Sequence, residues 1–393
     1  MNNTTRDRRG PSRRTYLQSL GALAAGALAG CTSSTSTPES DGGAYSVTLA
    51  PMGEIEFDDV PNDVFTIYPQ YVDMAVALGH GDAINSMFAT EMAGTTMNHY
   101  YEHLDGVSFE WDNLTNPLSG EFSRELVYEQ ESDLHLADPA WVVTQSNWDQ
   151  SKVKSIGDQL GPWFGNFYSG THDDPPEAYR DQYEYYSLWE LFGKVAQVFD
   201  ETERYEAIKS IYDDTLATIT KNLPPESERP TAVRVTYSAQ TDQFFTYHLN
   251  KPGYWLADTR PLGATDAFAD QDWEQLWGTV DYETMLEADP DVILHLWGLT
   301  PRDDMAEVRS QLENDASGQK LTAVQNDRVY AAGMRYQGPI MNLFQLEMGA
   351  KQLYPEQFGE WPGTPDGGSA YPEIPEGERL FDRQELADVI NGS

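Results

Sequence analysis

His99 and His103 stand four residues apart in Asn98-His99-Tyr100-Tyr101-Glu102-His103. On a helix that spacing puts two imidazoles on one face, where they could ligate a metal. No second carboxylate–histidine cluster accompanies them, so the plain reading is two solvent-facing histidines near a loop. Gly79-His80-Gly81 lacks the third glycine of a phosphate loop and reads as a helix stop and turn. Nucleophile elbows, His-Glu-x-x-His pairs and P-loop patterns are missing from the chain. What it does carry is aromatic side chains at the ends of predicted strands, with scarce cations among them.

In open α/β sheets, ligands sit beyond the carboxyl ends of the strands. That rule nominates Tyr68, Tyr71 and Trp163 in the first half of the chain, and Tyr237, Trp297, Arg335 and Tyr336 in the second. Together they describe an aromatic cleft holding at least one cation. Arg335 offers a bidentate fork to an anionic group. A surface ion pair with one of the many carboxylates is the other reading of that arginine.

The elements that position these residues are legible in the pattern. Val64 to Tyr68 is a short β-rich run, Gln70 to Leu78 has helical apolar spacing, and Asp82 to Phe88 alternates like a strand. This strand–helix–strand order marks an α/β layer architecture. Residues 122–136 (FSRELVYEQESDLHL) and 280–294 (VDYETMLEADPDVIL) repeat at an offset of 158, with Glu125 matching Glu283 and Asp133 matching Asp291. The repeat predicts two related lobes. Between them, Tyr183 to Asn222 has helical spacing throughout, with a possible break at Asp200 to Glu203, and ends at Leu223-Pro224-Pro225. It reads as a rigid spine. Thr231 to Tyr237 opens the second lobe as a strand. Asn326 to Tyr330 is a turn and strand, Asn342 to Leu353 a helix, and Arg383 to Ile390 a last helix with Asp382 as its N-cap.

The chain has 393 residues, enough for two or three domains. Its 25 Lys+Arg face 64 Asp+Glu, a formal net charge of -39. A surface so negative repels phosphate and argues against a nucleic-acid partner. One cysteine excludes a disulfide scaffold. The acids are spread along the chain, and lysine is scarce, which suits a halophile better than a cation-attracting patch.

Arg6, Arg8, Arg9, Arg13 and Arg14 precede the short apolar run Tyr16 to Ala29. Ser12-Arg13-Arg14-Thr15-Tyr16-Leu17 resembles a twin-arginine export signal, and Leu28-Ala29-Gly30-Cys31 resembles a lipobox that makes Cys31 the acylated first residue. Thr32 to Gly43 reads as a flexible tether. Loss of residues 1–30 removes five Arg and one Asp and leaves a net charge of -43.

With these features stand the helix end Ala77-Leu78-Gly79, Glu125-Leu126 leading to Ser132-Asp133-Leu134, the run Leu286 to Leu294, Asn326-Asp327-Arg328-Val329-Tyr330, Ala350-Lys351-Gln352-Leu353-Tyr354-Pro355, and Leu380 to Leu386. In that order they resemble the substrate-binding lipoproteins of ABC importers, in the class serving iron chelates, haem and cobalamin. The resemblance covers nearly all of residues 45–391. It implies a class III periplasmic-binding-protein-like α/β fold: a signal at 1–30, a tether at 31–43, a lobe at 44–180, a connecting helix at 181–223, and a second lobe with its closing tail at 224–393. It implies a monomer anchored to the outer face of the cytoplasmic membrane, no catalysis, and delivery of a ferric chelate or corrinoid to a permease and its ATPase. It also places Tyr100 and Tyr101 among the ligand contacts, where tyrosinate would suit ferric iron, and Glu125 and Glu283 at the permease. Ser132 departs from the family's proline, present here as Pro290. Asp138-Pro139-Ala140-Trp141 and Gly161 to Asn166 are not general family features. An extracytoplasmic hydrolase, or a lipoprotein that binds only a protein partner, are the alternatives.

Overall fold

The computed structural model describes residues 44–363 and 370–393. The export signal, Cys31 and the tether lie outside the described residues.

The chain enters through an antiparallel hairpin, β1 (Tyr45–Leu49) and β2 (Gly53–Phe57). The first lobe is built on β3 (Val64–Thr66) paired in parallel with β4 (Leu134–Leu136). Single parallel bridges extend this pair, from Val64 to Ile84, from Ser86 to Thr115, and from His135 to Trp163. The spatial order from Thr115 through Ser86, β3 and β4 to Trp163 is a doubly wound order, with a switch point beside β3. The alternating stretch 82–88 therefore enters the sheet through isolated bridges, after a short 3-10 turn at Gly81–Ala83. The helix Pro69–Ala77 starts on a proline, whose missing N–H costs nothing at that position, and all its residues are buried.

The second lobe carries a mixed sheet: β5 (Thr231–Ser238), β6 (Gln243–Tyr247), β7 (Thr265–Asp266), β8 (Trp277–Val280), β9 (Val292–His295) and β10 (Val329–Ala331). Its order is β10-β9-β5-β6-β8, with β7 beside the start of β5. The β10-β9-β5 side is parallel, and β5-β6-β8 is antiparallel.

The internal repeat is structural. Asp133 accepts hydrogen bonds from the N–H groups of Asn62 (3.0 Å) and Asp63 (3.1 Å), just ahead of β3. Asp291 accepts one from the Thr231 N–H (2.8 Å) at the head of β5. In both lobes the same residue's own N–H donates back to the strand-head carbonyl, Asp63 or Thr231, at 2.8 Å. One aspartate per lobe thus clips the repeat's strand onto its neighbour.

The expected spine is two helices, Leu188–Val198 and Thr202–Asn222. The first begins at a capping box of Ser187 and Glu190. Asp200, with φ 54°, turns the chain between them. Trp189 stacks on Tyr212 at 4.1 Å and Phe192 meets Tyr205 at 5.3 Å, so the two run antiparallel. The 21-residue second helix, about 31 Å long, leads into the second lobe. The helix expected from Asn342 begins earlier and spans Pro339–Leu353, and the last helix, Arg383–Asn391, is capped by Asp382 as expected.

Candidate functional site

Aromatic rings from both lobes meet around one guanidinium. Tyr68 stands at the carboxyl end of β3, where the helix Pro69–Ala77 begins. Its ring lies 5.0 Å from Phe167, 5.5 Å from Trp141, 6.5 Å from Phe88 and 5.1 Å from Tyr336 of the other lobe. Phe167 meets Trp255 of the second lobe edge-on at 5.6 Å. Arg335 follows β10, and its guanidinium lies over Trp255 (4.4 Å), Tyr336 (4.9 Å), Trp297 (5.6 Å), Trp277 (5.8 Å) and Tyr247 (5.9 Å). Such stacking holds a cation by the negative faces of the rings.

Arg335 donates hydrogen bonds to the phenol oxygens of Tyr247 and Tyr336, each at 2.7 Å, and its Nε has no protein acceptor. The two buried arginines are treated differently. Arg234 pairs with Asp258 at 3.1 Å, and Arg383 pairs with Glu347. Among the described residues no carboxylate pairs with Arg335, in a chain that carries 64 acids. A half-buried cation held only by neutral groups is suited to an incoming anion.

Trp297, just past β9, has φ 73°, a conformation that costs a bulky residue. Its N–H donates to the Gly333 carbonyl at 3.1 Å, which fixes the indole beside Arg335. Burial holds the phenols of Tyr68 and Tyr336 above their ordinary values, so they act here as neutral hydroxyls.

The lobes touch backbone to backbone below this cluster. A Cβ on Gly253, whose φ is 114°, would lie 2.5 Å from the Gly170 carbonyl oxygen, and one on Gly170 would lie 2.5 Å from the Trp255 indole nitrogen. Tyr254 then reaches into the first lobe, where its hydroxyl accepts from Gln70 Nε2 at 3.1 Å. A cavity of about 810 Å³ lies elsewhere, lined by Glu102, His103, Glu373, Arg379 and Arg383 among others, and shares no residue with the aromatic cluster. The cluster is packed ring on ring across the lobes, Tyr68 against Tyr336 and Phe167 against Trp255.

Of the residues nominated from the sequence, the structure brings together Tyr68, Trp297, Arg335 and Tyr336. Tyr71 is buried beneath them, accepting from the Asn166 N–H at 2.7 Å. Tyr100 and Tyr101 end the helix Thr90–Tyr101 with their rings in the core, and Tyr101 donates to Asp73 at 2.5 Å. Trp163 stacks on His135 at 4.7 Å and donates to the Val153 carbonyl. Tyr237 accepts from the Tyr282 hydroxyl at 2.9 Å, against Phe244. Glu125 and Glu283 are exposed, each in the first turn of its helix. His99 lies in the helix and His103 just past it. Among the described residues no group of three His, Cys, Asp or Glu could hold a metal.

Sequence reasoning missed Phe88, Trp141, Phe167, Tyr247, Trp255 and Trp277. Trp141 and Phe167 sit in or directly after the two segments already noted as unusual. Tyr247 and Trp277 lie on the antiparallel strands β6 and β8, which a rule for parallel strands does not reach.

A family comparison identifies residues 64–336 as periplasmic binding protein, and the chain belongs to that family. Its members are extracytoplasmic solute-binding proteins. No curated protein matches the sequence. Solved structures share the fold at low identity. A periplasmic binding protein from Veillonella parvula is 16% identical, with a TM-score of 0.57, covering 82% of this chain and 94% of that one. An iron uptake ABC transporter substrate-binding protein from Streptococcus pneumoniae is 17% identical, with a TM-score of 0.52, covering 79% and 97%. An ABC-type Fe3+-hydroxamate transport system from Saccharomonospora viridis is 18% identical, with a TM-score of 0.51, covering 80% and 99%. Among the described residues no helix is long and apolar enough to cross a membrane.

Proposed function

We propose that the chain is the solute-binding component of an ABC importer, capturing a ferric chelate of siderophore type or a corrinoid between its lobes and handing it to a permease. The observation that carries this reading is Arg335: a half-buried guanidinium, ringed by aromatics from the second lobe, facing rings of the first, and left without a carboxylate. The aromatic faces suit a bulky chelate or macrocycle, and the arginine suits an acidic group on it. The iron-related solved structures agree with this choice of ligand class. Cys31 serves as the lipid anchor in this reading, and the acidic composition as an adaptation to salt.

The test is a titration of purified protein in high salt with a ferric hydroxamate, haemin and cyanocobalamin, read by tryptophan fluorescence and native mass spectrometry. Saturable binding of one of them is expected. Failure of all three would overturn the reading, and turnover of an ester or phosphate substrate would replace it with a hydrolase.

A further inference from the structure

The segments Asp138 to Trp141 and Gly161 to Asn166 meet in space. Gly165 permits it: a Cβ there would lie 2.5 Å from the Ala137 carbonyl carbon and 2.7 Å from the Asp138 nitrogen. Asp138 is 3% exposed. One carboxylate oxygen accepts from the Ala140 N–H at 2.7 Å. The other accepts from the Phe167 N–H at 2.7 Å and from the Tyr183 hydroxyl at 2.5 Å. All three donors are uncharged, and burial pushes the carboxyl up to about 6 against their pull. Burying a carboxylate without a cation is costly. What this one secures is the backbone on which two cleft rings stand. Trp141 directly follows Ala140, and Phe167 donates itself. Their rings lie 5.9 Å from each other and 5.5 and 5.0 Å from Tyr68.

We propose that Asp138 is a positioning residue for the solute cleft: by holding the Ala140 and Phe167 N–H groups it fixes the Trp141 and Phe167 rings as the first-lobe wall against which the ligand packs. The proposal rests on the reading of the cleft as the solute site. Without the carboxylate, the short helix Pro139–Val142 loses its cap and the 161–167 loop loses its tie to that helix.

The experiment labels the protein with 5-fluorotryptophan and follows the Trp141 19F resonance, assigned by its loss in Trp141→Phe. In Asp138→Ala this line should broaden or split while those of Trp189 and Trp361, which pack on Tyr212 and Tyr371 rather than on Trp141 or Phe167, hold their positions. Asp138→Asn, which keeps one acceptor oxygen, should fall between. Tyr183→Phe removes the third donor, together with the hydroxyl's bonds to Tyr168 N–H and Asn166, and should leave the Trp141 line in place. Of the three probes above, any that quenches the wild type should bind Asp138→Ala about tenfold more weakly or worse. An undisturbed Trp141 line in folded Asp138→Ala, or an equal shift of all tryptophan lines, would overturn the proposal. If Asp138→Ala does not fold, the Asp138→Asn line decides by the same criterion. A disturbed Trp141 line with no probe quenching the wild type would refute the cleft reading while upholding the role of Asp138 in holding the ring.

Discussion

Asp73, on the first helix of the first lobe, accepts hydrogen bonds from the backbone N–H of Ile340 at 3.0 Å. The same oxygen accepts from Met341 at 3.2 Å. It thereby caps the helix Pro339–Leu353, which begins three residues after Tyr336. A helix normally finds its cap in the residue before it, but here Gly338 stands at that position without a side chain. A Cβ on Gly338 would lie 2.5 Å from the Asp73 carboxylate. The cap therefore comes from the other lobe, and it holds Arg335 and Tyr336 in register with Tyr68.

Burial pushes the Asp73 carboxyl from 3.8 up to about 7, against the lowering pull of Tyr101 and the two N–H groups. The folded protein then binds a proton there that the unfolded chain has released. Stability from this group is fully present below pH 3.8 and is lost as pH rises through 7. Thermal unfolding in constant high salt should show the wild type falling relative to Asp73→Asn between those limits, and running parallel to it above them. A difference between the two that does not change with pH would refute the assignment.

Replacing Arg335 by Met removes the cation and keeps much of the volume. Haemin, with its carboxylates, should lose roughly 10- to 100-fold in affinity, as expected when a desolvated charge pair loses one partner. A neutral ferric hydroxamate, lacking an anionic group, should lose less. Equal losses for both in a fluorescence titration would show that Arg335 serves packing rather than charge.

Gly253→Ala introduces a Cβ at φ 114° and 2.5 Å from the Gly170 carbonyl. The strain should cost about 1–3 kcal/mol in denaturant unfolding. Because the clash lies between the lobes, small-angle scattering should also show a larger radius of gyration for the folded variant. A destabilised variant with an unchanged radius would mean that the loop yields instead of the lobes.

Glu125 and Glu283 occupy the second position of corresponding helices, both exposed. If they seat the protein on a permease, Glu125→Ala with Glu283→Ala should lower solute uptake by cells and leave ligand affinity in solution unchanged. Loss of affinity in the purified double variant would refute the docking role.

The strands and helices that repeat were legible because their periodicity is local: Glu125 to Leu136 and Glu283 to Leu294 each carry helix, turn and strand in one short run. The helical hairpin at 188–222 was less so, since its apolar spacing continues across Asp200 and only the left-handed backbone there reveals the turn. Tyr68, Trp297, Arg335 and Tyr336 were found by their place at strand ends. Trp255 and Phe167 were not, because they reach the cleft through a 3-10 turn and a loop. Tyr100 and Tyr101 illustrate the opposite limit. Their residue type fits a metal chelate, but the helix that carries them turns both rings into the core.

The aspartate clips and the Asp73 cap differ in how far along the chain they reach. Asp133 and Asp291 bond to partners 70 and 60 residues away, whereas Asp73 reaches Ile340 across 267. Closing the longer loop costs more chain entropy and brings no return until both ends exist. The first lobe can therefore set its strand register while the second is still being synthesised. The Asp73 cap, by contrast, needs both lobes present before it can form.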